Sequence, residues 1–416
     1  MGSSQRSDPF RDGFRYVARA PVRHVMLILG IRPDLIRASL VLKMLKAQDE
    51  VRFTFVWSGQ HYADNLKDVF IRDLDLPSPD IELGATGDSD AAVVASVIER
   101  LSGLLSDVRP DVAVFLGDTN TVMGCIAAAQ LNIPVVHIEG CMRSYDWRMP
   151  EEKYRTIIDH TADVIYTYFP EYKEQGVREG LNPRNIVVIQ NLIVDVLQHY
   201  YFDRRADYHA LASDQYLAEH AVRRDAFFLM TCHRRESVEQ PEPLSAILDL
   251  IAQSPYPIYF PASYRTQRRL KEFNLALPPN VTMVDPIGYR ELLALLGTSR
   301  GALTDSGTVV EETAVLGVPS LQIRKATERP QVYDCGSSVK FDPDRPEHYP
   351  ADQVFGKLER LFGQTWEHGL GDGHASERLV DDLLRRVQSD TIRGHRAEDS
   401  HIDVSRSYRD DGLPPV

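Results

Sequence analysis

Apolar residues in this chain fall into short runs separated by stretches of helical periodicity. HVMLILG (24–30) is a run of the buried-strand type. After Arg32-Pro33, the segment DLIRASLVLKMLK carries its apolar residues at helical spacing. VRFTFVWSG (51–59) reads as a second strand, and a long helix, DAAVVASVIERLSGLLSDV, leads into a third strand, VAVFL (112–116). The helical segment TVMGCIAAAQL and the apolar runs PVVHI and DVIYTYF continue the alternation. Such alternation implies βαβ units and a parallel sheet. After a polar region near 199–225 it restarts with AFFLMTC (226–232), PIYFPAS, VTMVDPI, GALTDSG and SLQIR (320–324), with helices between them.

The pattern predicts an α/β protein of two similar halves with a cleft between them. Its expected divisions are a loosely attached arm over 1–21, a first Rossmann-like domain over 22–198 and a second over 199–375. A helix over 376–389, SERLVDDLLRRVQS, is expected to pack back toward the first domain, and the polar stretch 390–416 to be disordered. The length, 416 residues, exceeds a typical single core and suits two.

Composition narrows the function. With 43% hydrophobic and 26% charged residues, this is the make-up of a soluble globular protein. The net charge of −13 argues against nonspecific nucleic-acid binding and leaves room for a local basic cleft that takes an anion. Four scattered cysteines, with no CxxC pair, indicate neither a zinc site nor a disulfide framework, which fits a reducing cytoplasm. No apolar run approaches the ~20 residues that cross a bilayer. The N-terminal MGSSQRSDPFRDGFRY lacks the apolar core of a secretory signal. No metal, cofactor, nucleic-acid or membrane partner is expected.

The candidate chemistry sits where strands end. VAVFL runs into Gly117-Asp118-Thr119, and PVVHI into Glu139-Gly140. In open parallel sheets, ligands bind beyond the carboxyl ends of the strands. Carboxylates there suit proton transfer. PEEKYR (150–155) places Glu151 and Arg155 four apart on a helix, a spacing equally at home in an exposed ion pair. GIRPDLIR (30–37) has a glycine for a tight strand-to-helix turn, a proline for the first helical turn and Arg32 to hold an anion. TCHRRES offers His233 to protonate a phosphate leaving group and arginines, Arg234 among them, to hold a diphosphate. TDSGTVVEE puts Ser306-Gly307 at a helix start, where phosphate meets backbone N–H groups, with Glu311 and Glu312 placed to bridge the hydroxyls of a ribose. ATERPQ supplies Arg329. Taken singly, each piece also reads as a turn, a surface basic patch or a helix cap.

Together, in this order, they resemble the non-hydrolysing UDP-N-acetylglucosamine 2-epimerases over residues 24–385. The family's G-T-R-P-E appears as Gly30-Ile31-Arg32-Pro33-Asp34, T-G-Q-H as Ser58-Gly59-Gln60-His61, and H-V-E-A-G-L-R as His137 to Arg143. G-D-T, P-E-E-x-x-R and T-E-R-P are intact, and H-R-R-E-N ends in Ser237. T-D-S-G-G-x-x-E-E runs from Thr304 to Glu312, with Thr308 for the second glycine. The resemblance implies the two-domain glycosyltransferase-B-like fold with the site in the interdomain cleft. It also implies a catalytic set of Asp118, Glu139, Glu151 and His233. Substrate contacts are implied for Arg32, Arg37, Gln60, Arg143, Arg155, Arg234, Ser306, Gly307, Glu312 and Arg329. Arg37 stands where the family usually has lysine.

The activity implied is interconversion of UDP-N-acetylglucosamine and UDP-N-acetylmannosamine through elimination of UDP, by a cytoplasmic homodimer serving polysaccharide biosynthesis. A 2-epimerase of a 2,3-diacetamido uronic acid nucleotide and a glycosyltransferase of the same architecture are the alternatives. Bacterial members are activated by a UDP-sugar held by the Q-H glutamine, a helix arginine and a histidine after a second-domain strand. Here those positions read as Gln60, Ser96 and Tyr259, so hyperbolic kinetics are expected.

Overall fold

A computed structural model describes residues 22–59 and 64–393, the side chains of 64–67 excepted. The expectations for the arm 1–21, for Gln60 and for the chain beyond 393 lie outside the described residues.

Seven strands form the first sheet: β1 (Arg23–Leu29), β2 (Val51–Trp57), β3 (Ile81–Glu82), β4 (Val112–Leu116), β5 (Val135–Ile138), β6 (Val164–Thr167) and β7 (Ile186–Val188). Their spatial order is β3-β2-β1-β4-β5-β6-β7, and every pairing is parallel. Six form the second: β8 (Phe228–Thr231), β9 (Ile258–Pro261), β10 (Val281–Val284), β11 (Gly301–Thr304), β12 (Ser320–Ile323) and β13 (Ser338–Phe341). Their order is β10-β9-β8-β11-β12-β13, again all parallel. The expected α/β architecture of two Rossmann-like sheets is the one found. Each sheet has one point where strand order reverses, between β1 and β4 and between β8 and β11. Loops leave in opposite directions there and open a crevice.

The central strands are continuous apolar runs because helices cover both faces. Val25 to Leu29 in β1 and Val112 to Leu116 in β4 are buried throughout. Burying each such side chain stabilises by roughly 1.5–3 kcal/mol. Arg32-Pro33 does open a helix, Arg32–Lys46. Gly30 before it is required for space rather than for a left-handed turn. A Cβ there would come within 1.8 Å of the Thr121 Oγ1 and 2.5 Å of the Ser58 Oγ.

The polar region near 199–225 is helical rather than a plain break. Helix Leu192–Tyr200 runs into it, and helices Arg205–Leu211 and Asp214–Glu219 follow. They fold because Tyr200, Tyr201, Tyr208 and Leu217 are buried among the polar residues. Helix Ala375–Gln388 packs against helices Arg32–Lys46 and Leu192–Tyr200 through Leu379, Val380, Leu383 and Val387. Asp195 accepts its first backbone N–H groups, Ala375 at 3.2 Å and Ser376 at 2.6 Å, and Tyr166 Oη donates to Asp382 at 3.0 Å.

Of the stretch expected to be disordered, residues 390–393 are described, and Asp390, Thr391 and Arg393 are exposed. Ile392 is buried, and the Arg393 guanidinium donates to the Asn132 carbonyl at 2.9 Å. Among the described residues no helix is long and apolar enough to cross a membrane.

Candidate active site

Both switch points face one cleft. Past β4 come Gly117 and Asp118, and past β5 comes Glu139. Glu139 has φ +75, a left-handed backbone that non-glycine residues rarely adopt and that surrounding contacts must hold. Those contacts are plain. Glu139 Oε2 accepts from Arg37 and, at 3.0 Å, from Tyr168 Oη. Oε1 accepts from Arg329 Nη2 of the other domain at 2.7 Å. Arg37 also grips Asp34 at 3.0 Å, and Arg329 pairs with Glu311 at 3.0 Å and with Glu328. Asn191 Nδ2 donates to Glu311 Oε1 at 2.8 Å, a second link across the cleft. Burial, with the charges of Glu139 and Asp118 in support, raises Asp34 to about 7 against the pull of Arg37.

Asp118 accepts from Arg155, which also pairs with Glu152 at 3.1 Å. Arg155 is only 2% exposed, and the exposed ion pair with Glu151 that the spacing also allows does not form. The arginine turns inward to two other carboxylates, and the cation acting on Glu151 is Arg234 instead. This divides two neighbouring acids. Burial pushes Asp118 up, but Arg155 outweighs it and holds the carboxyl below its ordinary value. Glu151 is raised, first by burial and then by the charge on Asp118. A carboxyl held below its ordinary value thus sits beside one held above it, the arrangement acid–base sites use.

From the second domain, β8 ends at Cys232-His233-Arg234 and β11 at Asp305-Ser306. The His233 imidazole keeps 45% of its surface open to the cleft. Its pKa is lowered by burial and by Arg234, Arg32 and Arg265, against Asp305. Arg32 comes from the first domain, its guanidinium 5.5 Å above the Phe70 ring. Arg234 lies 3.6 Å from Glu328 and 3.8 Å from Glu236. Ser306 caps helix Gly307–Leu316, accepting from Val309 N at 3.4 Å. Gly307 makes room for Arg329, whose guanidinium lies 2.5 Å from where a Cβ would stand. One turn on, Glu312 accepts from Tyr289 Oη at 2.8 Å, and burial raises it to about 8. The Oε2 atoms of Glu311 and Glu312 are buried without a hydrogen-bond partner.

The structure therefore gathers Asp118, Glu139, Glu151, His233, Arg32, Arg234, Ser306, Gly307, Glu312, Arg37 and Arg329 around the cleft. Arg143 is a correction. Its guanidinium is taken by Asp159 at 2.7 Å and by the partly exposed Glu179 at 2.5 Å, beside a buried His137–Asp159 pair, Asp159 lying on helix Pro150–Thr161. Arg37, Arg155 and Arg329 likewise give their guanidinium groups to protein carboxylates. Of the regulatory positions, Ser96 Oγ accepts from Thr86 N at 3.3 Å, and Tyr259 is 1% exposed inside β9, its ring against His220. The residues that follow β9 are Ala262, Ser263 and Tyr264, and Tyr264 is exposed.

Sequence reasoning passes over Asp34, Asp305, Glu328, Tyr168 and Tyr289. The first three stand inside the motifs quoted above. The usable signal is that a charge next to a buried strand end must be paired. Among the described residues no three His, Cys, Asp or Glu side chains are grouped to hold a metal ion.

A family model described as UDP-N-acetylglucosamine 2-epimerase matches residues 43–384, and the chain belongs to that family. It is 32% identical to UDP-N-acetylglucosamine 2-epimerase of Methanocaldococcus jannaschii, over 85% of this chain and 97% of the relative. It is 28% identical to UDP-2,3-diacetamido-2,3-dideoxy-D-glucuronate 2-epimerase of Pseudomonas aeruginosa, over 87% of this chain and 99% of the relative. The crystal structure of the M. jannaschii enzyme in complex with UDP-GlcNAc and UDP superposes with a TM-score of 0.76 at 30% identity, covering 87% of this chain and 99% of that one.

Proposed function

We propose that the protein interconverts UDP-N-acetylglucosamine and UDP-N-acetylmannosamine by eliminating and re-adding UDP. The observation that carries this reading is the pair of buried acids in opposed environments, Asp118 held down by Arg155 and Glu151 pushed up by burial, facing His233 and Arg234 across one cleft. The proton at C2 of the sugar is too weakly acidic for simple removal and return. Departure of UDP from C1 solves this. Asp118 takes the C2 proton, the C1–O electron pair leaves with UDP, and a glycal forms. Glu151 delivers a proton to C2, and UDP returns to C1. His233 protonates the departing phosphate, and Arg234, Arg32 and the N–H groups of helix Gly307–Leu316 retain it. Glu139, pinned from both domains, presents negative charge to the positive charge that grows at C1 as the bond breaks. Glu312 takes the ribose hydroxyls.

The named substrates of the relatives support this class, and the uronate relative supplies a second reading in which the sugar is a 2,3-diacetamido uronate. The test is incubation with a panel of UDP-sugars in D₂O, watched by NMR. Deuterium is expected at C2 of product, with free UDP and glycal on long incubation. Sugar transfer to an acceptor without exchange at C2 would sink the proposal. The domain limits 22–198 and 199–375, a homodimeric state and a cytoplasmic address belong to the same proposal. Limited proteolysis, light scattering and cell fractionation check them in turn.

A further inference from the structure

Asp305 follows β11 directly and is fully buried. Its Oδ2 accepts two backbone N–H groups from the loop after β8, His233 at 2.9 Å and Arg234 at 2.8 Å. One carboxylate oxygen therefore fixes the histidine loop to the start of the phosphate-facing helix. A neutral asparagine or serine would serve that purpose as well. The other oxygen is what needs explaining. Oδ1 is buried without a hydrogen-bond partner, and His233 Nδ1 lies 3.7 Å away. An unpartnered buried carboxylate oxygen destabilises the fold unless a donor reaches it. Catalytic hydrogen bonds often stand long in the empty site and shorten with substrate.

We propose that Asp305 is a positioning residue for His233. It holds the neutral imidazole with its proton on Nδ1, and so leaves Nε2 as the nitrogen that carries a proton to and from the leaving phosphate. The inference rests on the epimerase reading for the use of that proton, but not for the pairing itself. A third group that orients a catalytic base and stabilises its charged form recurs in unrelated active sites.

The charges around the ring make the carboxylate necessary. Arg234 from the same loop, Arg32 from the first domain and Arg265 from helix Tyr264–Glu272 all oppose a positive imidazole, as burial does, and Asp305 alone among its named neighbours favours it. The Cys232 thiol beside Asp305 is held protonated by burial and by that same carboxylate; its weak S–H donor competes with the ring for the carboxylate but adds no charge. During elimination the imidazolium gives its Nε2 proton to the β-phosphate oxygen that receives the C1–O electron pair, while Asp118 receives the C2 proton. On re-addition the phosphate proton returns to Nε2, while Glu151 delivers a proton to C2 from the other face.

The experiment is ¹⁵N NMR of histidine-labelled protein, with His233 assigned by the loss of its signals in His233→Gln. In the wild type the neutral ring is expected as the Nδ1–H tautomer. In Asp305→Asn, which keeps an acceptor for the two backbone N–H groups, the titration is expected to move at least about one pH unit to the acid side. The imidazole limb of the kcat profile should move with it, and kcat should fall about tenfold or more while KM changes less than about threefold. A wild-type ring protonated on Nε2, or an unmoved titration and limb in Asp305→Asn, overturns the proposal. The tautomer needs neither a variant nor turnover. If Asp305→Asn misfolds, the wild-type tautomer alone decides, and absence of C2 exchange would sink the epimerase reading separately.

Discussion

At the switch point of the first sheet, between β1 and β4, the cleft is walled by carboxylates with arginines behind them: Asp34 and Glu139 on Arg37, Asp118 on Arg155. At the switch point of the second, between β8 and β11, the wall is a half-exposed imidazole, a guanidinium and the N–H end of a helix. The winding is the same, and the chemistry is opposite in sign. The first half is built to take and give protons at carbon, the second to hold an anion while that happens. Glu139 and Arg329 join the halves, so each wall contributes to holding the other in place.

The sharpest way to break this division is to remove acids from the first wall. Asp118→Asn and Glu139→Gln should each lower turnover by about 10²–10⁴-fold, the range for positioned acid–base groups. UDP affinity by calorimetry should stay within a few fold. A large loss of UDP binding in either variant would mean the walls do not divide the work.

Cutting the link between the walls comes next. Arg329→Met leaves Glu139, Glu311 and Glu328 without their shared cation. Breaking a buried pair from one side costs about 3–5 kcal/mol. Denaturant unfolding should show it, and Glu139→Gln combined with Arg329→Met should lose less than the sum of the two.

On the anion side, Glu312→Ala should weaken UDP by roughly 0.5–1.5 kcal/mol, the scale of a neutral hydrogen bond. Turnover at saturating substrate should change little. Unchanged UDP affinity would move the ribose elsewhere.

The most gradual effect, spread over several pH units, is in stability against pH. Glu312 is raised from 4.5 to about 8 and Asp34 from 3.8 to about 7, so the folded chain binds protons that the unfolded chain has released. Their contribution is complete below the unfolded values and is lost as pH rises toward 8 and 7. The slope for either group cannot exceed about 1.4 kcal/mol per pH unit. Glu312→Gln should flatten the fall in Tm between pH 5 and 8. An equally steep fall in that variant would mean that Glu312 is ionised in the fold.

The central strands are readable in the sequence because they are unbroken apolar runs buried on both faces. β3, β7 and β13 are not. They close the edges of their sheets, are two to four residues long and are only partly buried, so at most a run as short as IVVI (186–189) announces them. Asp118 and Glu139 can be placed at strand ends from the same runs. Arg155 cannot, because the four-residue spacing to Glu151 reports neighbours on a helix surface and says nothing of which face is buried. Arg143 misleads for the same reason. Its position in a motif fixes its loop, while the buried Asp159 that claims it lies 16 residues on. Tyr259 falls too early for a residue after a strand, because the run PIYFPAS shows that a strand exists and not where it stops.

One feature of the fold sets a timetable for synthesis. The hydrophobic face of helix Ala375–Gln388 completes the packing of helices Arg32–Lys46 and Leu192–Tyr200, which are made far earlier. A ribosome adding roughly 5–20 residues per second needs on the order of ten seconds or more between residue 200 and residue 388. Throughout that interval the first half exists with an open apolar seam, and only the last part of the message closes it. Nascent chains stalled before residue 375 should bind chaperones and yield to protease, and those released after residue 393 should not.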